Sequence, residues 1–341
     1  MISATRAIVP ETYATTFESY EVGDPAPGQI LVATEASGIS AGTELAIYTG
    51  IHQWLKDPTN RWAKFPFKPG YSAVGRVIAA GAGVTRFKAG DRVIWPGRHE
   101  SHALLEAENE EHNVWPIAEH VPAPVAAQLS LARFPLTALA QSRSLLGQSV
   151  AVLGLGMIGQ TTTRLFSACG AFPVIGIDPV PGRRARAEAT YGVRTIDPTA
   201  GDALAALREQ LGGDRPDIVV DATGSPPALQ EALRLVADGG QVVLVGSPRG
   251  IIQQFDSYWD LHGRSVTVTG AHGSAIGAGV RDKFPFTRRR ALPLLVHLAE
   301  SGRLKLDDLI THTVDGRQLD SMYRGLIDQR DEFLGVALTW G

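Results

Sequence analysis

The sequence predicts an α/β chain of two domains, a doubly wound parallel sheet joined to a β-rich domain. Three observations carry this. Strand and helix alternate between Gln148 and Ala271, a glycine turn Gly154-x-Gly156-x-x-Gly159 lies inside that alternation, and the first third is short-stranded and broken by glycine and proline. Near-continuous apolar strands separated by helices bury both faces of a parallel sheet. At 341 residues the chain is too long for one ordinary core and suits two.

From about Thr5 to Trp115, strands are expected at Gln29–Ala36, Val74–Ala79, Asp91–Trp95 and His102–Glu106. Val125 to Leu146 carries alanine and leucine at helical spacing and should break near Pro135. The parallel strands are expected at Val150–Leu153, Val174–Ile177, Ile218–Val220, Val242–Val245 and Val266–Thr269, with helices at Gln160–Cys169, Arg183–Tyr191, Leu204–Leu211 and Ala228–Ala237. Beyond Thr287 two amphipathic helices and a last strand near Phe333–Thr339 are positioned to complete the first domain.

The 32 basic and 35 acidic residues form no long single-sign run, so the footprint of a nucleic-acid binder is missing. Arg288–Arg290 reads as a solvated helix start. No signal sequence or membrane-length apolar run is visible, which predicts a cytoplasmic protein without a membrane partner. The one cysteine, Cys169, excludes an intrachain disulfide and an all-cysteine metal site, and is expected to pack in the core.

With 37 glycines in the chain, the spacing of the turn alone is weak; its context is informative. An apolar strand precedes Gly154 and a helix follows Gly159, so the glycines can form a sharp turn, admit a pyrophosphate and let helix pack on strand. The amides of Met157 and Ile158 open that helix and supply an anion site. Asp178 ends the next strand 19 residues after Gly159, where a carboxylate accepts from both ribose hydroxyls and repels a 2′-phosphate. NAD is favoured; Arg183 and Arg184 keep NADP open. A flavin or S-adenosyl ligand uses a similar turn.

The segments Gly38-Ile39-Ser40-Ala41-Gly42-Thr43-Glu44, Tyr48-Thr49-Gly50, Pro69-Gly70-Tyr71-Ser72-Ala73-Val74-Gly75, Gly90-Asp91-Arg92-Val93 and Asp221-Ala222-Thr223-Gly224, with the glycine turn, resemble the medium-chain dehydrogenase/reductase superfamily, the zinc alcohol dehydrogenase-like proteins, over essentially the whole chain. Ser-Ala-Gly-Thr-Glu and Gly-Tyr-Ser are most similar to its bacteriochlorophyllide dehydrogenase-like branch. The resemblance implies a GroES-like β-barrel catalytic domain from residues 1–147 and 272–341, a Rossmann domain from 148–271, a substrate cleft at their junction and a homodimer. It adds Thr223, Val245, Gly246, Gly270 and Ala271 to the cofactor-binding residues.

At the positions of the family's zinc ligands stand Ala41, Tyr71 and about Arg133, none a competent ligand, and Ser72 replaces the neighbouring acid. A zinc-independent enzyme is expected. His99, His102, His112 and His120 read as surface histidines or supporting partners rather than a substitute metal site. Without metal a side chain must remove the hydroxyl proton. Tyr71 is the first candidate because it occupies a ligand position, with Arg133 implied near enough to stabilise a phenolate or alkoxide. The rival is His272, which the resemblance places beside the nicotinamide; Thr43 matches the family's relay hydroxyl and would pass a proton to His52. Structural alternatives stand beside these: Tyr71 filling the ligand void, Glu44 partnering an arginine, and Thr43 capping the helix near Gly42.

The loop from Ile51 to Phe67 holds His52, Trp54, Lys56, Arg61, Trp62, Lys64, Phe65 and Phe67, which suits a polyhydroxylated ring or an anion and equally an ordinary packed loop. Candidate substrate-binding residues are Tyr48, Trp54, Trp62 and Arg133. The expected activity is a zinc-independent, NAD-dependent interconversion of a secondary alcohol (sugar, cyclitol or polyol-like) and its ketone. An NADPH-dependent enone or quinone reductase and a catalytically silent dinucleotide-binding protein are the alternatives.

Overall fold

The computed structural model describes residues 1–107, 114–191, 193–273 and 288–341, so His112 lies outside the described residues. The chain divides into two compact units, Met1–Leu131 with Thr287–Gly341, and Ala132–Phe286. The second unit is wider at both ends than the 148–271 span expected from sequence.

The first unit is built on β3 (Gln29–Gly38). One edge of β3 pairs antiparallel with β4 (Ala73–Ala80), which continues to β5 (Arg92–Trp95) and β7 (Trp115–Pro116). Its other edge pairs first with β6 (His102–Glu106) and then with β15 (Gly335–Thr339). The chain's last strand therefore completes this unit, and β14 (Ile310–Asp315) adds to it in parallel. Ile30, Val32, Val77, Val93, Trp95 and Ala103 form one core. A second gathers α1 (Ala41–Tyr48), α9 (Leu319–Asp328) and β15 through Ile47, Tyr48, Tyr323, Leu326 and Leu338.

β14 and the opening hairpin of β1 (Ile2–Ile8) and β2 (Thr16–Val22) escape the sequence pattern. The solvated face of β2 is rich in charge, and the hairpin's alternation is irregular. Helix breaks between α2 (Ala123–Ala126) and α3 (Arg133–Gln141), before Pro135 rather than at it. Pro135 sits in the first turn of α3, where its missing N–H has no intrahelical partner to lose.

The second unit is a six-stranded, fully parallel sheet in the order β10-β9-β8-β11-β12-β13. The strands are β8 (Val150–Leu153), β9 (Val174–Ile177), β10 (Arg194–Ile196), β11 (Ile218–Asp221), β12 (Gln241–Leu244) and β13 (Thr267–Gly270). This is the doubly wound Rossmann order. Val150 and Val152 face one core with Phe166, while Ala151 and Leu153 face the other with Leu207 and Leu233. α4 (Met157–Ala168) and α3 thus cover one face; α6 (Ala203–Gln210) and α7 (Pro226–Leu235) cover the other. β10 is too short to register by periodicity. Cys169 is exposed at the end of α4, contrary to the packed position expected. Among the described residues no helix is long and apolar enough to cross a membrane.

Candidate active site

In the first unit, α1 starts after Ser40, whose amide donates to Glu44 Oε1 at 2.9 Å. Ser40 also bonds through its hydroxyl to the hydroxyl of Tyr71, a short contact between two side chains 31 positions apart. Ser40 was missed by sequence reading; its only signal was adjacency to Ala41, where a metal ligand is replaced. Gly70, before Tyr71, has φ +91°, and a β-carbon there would lie 2.5 Å from the His99 amide nitrogen. That close approach sets Tyr71 beside the strand-free turn carrying His99.

Behind Ser40 is a buried polar network. Glu44 Oε2 meets His99 Nε2 at 2.8 Å and accepts from the Tyr323 hydroxyl at 2.6 Å. His99 Nδ1 bonds Ser37 Oγ at 2.8 Å, and Trp340 Nε1 donates to the same Ser37 oxygen. Burial would raise the Glu44 pKa, but the His99 charge and the hydrogen bonds from His99, Tyr323 and the Ser40 amide outweigh it and hold the carboxyl below its ordinary value. Tyr323 is held protonated, its pKa raised by burial and by Glu44. Glu44 therefore partners a histidine and a tyrosine, not the expected arginine. Of the two alternatives for His99, surface or supporting partner, its burial and these bonds correspond to the second.

Other first-unit residues depart from expectation. Tyr48 is fully buried and donates to Asp320 Oδ1 at 2.8 Å; burial, and then this bond, push its pKa up to about 12, and its ring offers no face to a substrate. Thr43 is half-buried inside α1 and does not cap it, since Ser40 holds the cap position. His52 is buried, and its Nδ1 accepts from the Trp54 amide at 3.3 Å. Ser72, where the family has an acid, donates to the Ala127 carbonyl.

The loop after α1 forms an aromatic wall. His52, Trp54 and Trp62 meet edge-on, with 5.8 Å between the two indoles; Trp62 then reaches Phe67 at 5.4 Å and Tyr71 at 6.4 Å. Asn60 pins it, donating to the carbonyls of Trp54 and Ala63 and accepting from the Trp62 amide.

In the second unit the glycine turn has the geometry a pyrophosphate needs. Gly154 has φ +86°, a side chain on Gly156 would meet nothing within 4 Å, and a β-carbon on Gly159 would strike the Gly154 carbonyl. Gly156 opens α4 without a side-chain cap, leaving the Met157 and Ile158 amides for an anion. Asp178 is buried; its oxygens accept from the amides of Leu155 at 2.7 Å and Val180 at 2.8 Å. A carboxylate has about four acceptor sites, so two remain for ribose. Arg183 is 3.8 Å from Asp178, whereas Arg184 is engaged with the Asp178 carbonyl and Asp197. Thr223 packs over Gly154 and its hydroxyl donates to Asp221, at the end of β11; Val245 and Gly246 follow β12 and donate to the Asp221 carbonyl. Gly270 ends β13, the buried Ala271 offers only backbone, and the exposed His272 comes next. All stand at the carboxyl ends of the parallel strands, the usual nucleotide crevice. This donor set fits a dinucleotide.

The zinc positions do not fit zinc. Ala41 has no donor, the Tyr71 hydroxyl is bonded to Ser40, and Arg133, which opens α3 in the second unit, has no lone pair to give. Among the described residues no cluster of three histidines, cysteines or acids could hold a metal.

Residues 26–124 match the alcohol dehydrogenase GroES-like domain, and residues 158–285 match the zinc-binding dehydrogenase family. The chain is 27% identical to an L-threonine 3-dehydrogenase of Pyrococcus abyssi over 340 residues, 89% of each protein. It is 26% identical to L-galactonate-5-dehydrogenase of Escherichia coli, covering 93% of each. The fold superposes on 2R,3R-butanediol dehydrogenase from Bacillus subtilis with a TM-score of 0.83 at 20% identity, over 99% of this chain and 100% of that one. With both domain families matched in order along one chain, and with the Rossmann sheet and completed β domain in place, the protein belongs to the medium-chain dehydrogenase/reductase superfamily, among the zinc alcohol dehydrogenase-like proteins.

Proposed function

We propose that this protein is a zinc-independent, NAD-dependent oxidoreductase that interconverts a secondary alcohol, sugar-, cyclitol- or polyol-like, and its ketone. The observation that supports the reading is the Tyr71–Ser40 hydroxyl pair, at a position to which the family resemblance assigns a zinc ligand. Bound NAD supplies the hydride acceptor. Tyr71 in its ionised form takes the carbinol proton, and the Ser40 hydroxyl donates to the phenolate and stabilises it. A bare carboxylate behind Ser40 would oppose that ionisation; pairing Glu44 with His99 limits the effect. In the reducing direction Tyr71 returns the proton to the forming alkoxide.

NAD over NADP rests on Asp178, whose carboxylate is fixed by two amides and would repel a 2′-phosphate. Relatives named as threonine and galactonate dehydrogenases support oxidation at a secondary carbinol. Location in the cytoplasm and a homodimer belong to the same reading; β13 is the open edge of its sheet and exposes Val268.

Tyr71→Phe tests the acid/base role. Turnover should drop about a hundredfold or more while NAD affinity stays unchanged. An unchanged rate would pass the role to His272.

A further inference from the structure

Within that dehydrogenase reading, the wall beside Tyr71 carries information on substrate charge. Trp54 and Trp62 are 39% and 44% exposed, large apolar surfaces left open although Asn60 fixes the loop that bears them. A loop whose backbone is held by three hydrogen bonds to one asparagine presents its rings as a prepared platform, since ordering it costs the bound state little. Indole faces take the C–H face of a polyhydroxylated molecule, neutral or charged.

The charges of the same segment discriminate. Lys56, Arg61 and Lys64 are all exposed, and none has an ion-pair partner among the described residues. The acid within the loop, Asp57, is occupied by the hydroxyl and amide of Thr59. Three cations against that one carboxylate within nine positions leave the segment bearing the two indoles with a net positive charge. Such a charge raises the local concentration of an anion and is screened by salt.

We propose that the site takes an anionic polyhydroxylated substrate, a sugar acid or a sugar phosphate, which lies along Trp62 and Trp54 with its negative group on Arg61 and Lys64. Its carbinol is oxidised at Tyr71 and the charged end takes no part in bond making. The inference rests on the Tyr71 reading for the reacting carbon, but binding is measurable without turnover.

The test is quenching of tryptophan fluorescence in the full-length protein with NAD present, titrated with a hexonate, a hexose phosphate and the matching hexitol. Either anion should quench at about tenfold lower concentration than the hexitol, and the advantage should shrink in about 0.5 M salt. Which anion quenches first distinguishes carboxylate from phosphate. Arg61→Gln combined with Lys64→Gln should remove the advantage while hexitol quenching persists, and Trp62→Phe should weaken all three. Equal midpoints for anions and hexitol, or an anion midpoint untouched by the double substitution, overturns the proposal. Anion binding without any oxidation would leave the charge inference standing and instead remove the Tyr71 assignment.

Discussion

Glu44 has no exposed side-chain surface, so its charge is tolerable only while His99, Tyr323 and the Ser40 amide surround it. Its folded pKa is lowered, so the stability it contributes is fully present above the ordinary carboxylate value and is lost as pH falls through the folded value. Glu44→Gln should cost about 3 kcal/mol near neutrality, read by urea unfolding, and the gap to wild type should narrow as the solution is acidified. A gap constant with pH would mean that the charge is not what stabilises. At Asp178 the substitution to Asn keeps an acceptor for the Leu155 amide but removes the repulsion of a 2′-phosphate. Calorimetry should therefore find NAD weakened about tenfold or more and NADP weakened less, or improved; equal losses would reduce Asp178 to a clamp on the glycine turn. At this scale the sequence shows that Ala41 has no side-chain donor and that Arg133 has no lone pair to give, because that is a property of the residue itself. It does not show Ser40 against Tyr71 or Glu44 against His99, because those pairs come from strands and turns far apart in the chain and no local pattern encodes them.

At the scale of elements, the β8–turn–α4 unit was legible throughout, since strand, glycine spacing and acid are all local. Its tightest point is Gly159 against the Gly154 carbonyl. Gly159→Ala should destabilise the second unit by about 2 kcal/mol and abolish measurable NAD binding, as overpacking forces α4 away from β8. Retained NAD affinity in a folded variant would contradict the cradle. The elements that escaped prediction share a physical cause. β10 has three residues and β14 mixes polar side chains on both faces, so neither yields a period. The break expected near Pro135 falls just before α3, and the proline itself sits in that helix's first turn, where it is permitted.

At the scale of the whole molecule, the last strand expected near Phe333–Thr339 is β15, which pairs antiparallel with β3. The interruption of one domain by another is legible because the texture of the chain changes twice. Which aromatic side chains stay open is not, because Trp54, Trp62 and Tyr48 look alike in sequence yet only the first two are exposed. The proposed reaction stands on proton transfer by Tyr71 without a metal. Its most direct test is the rate of NAD-linked alcohol oxidation by protein exhaustively treated with chelator, with metal content measured on the same sample. Full activity with less than about one zinc per ten chains is the predicted result; activity lost on chelation and restored by added zinc would contradict it.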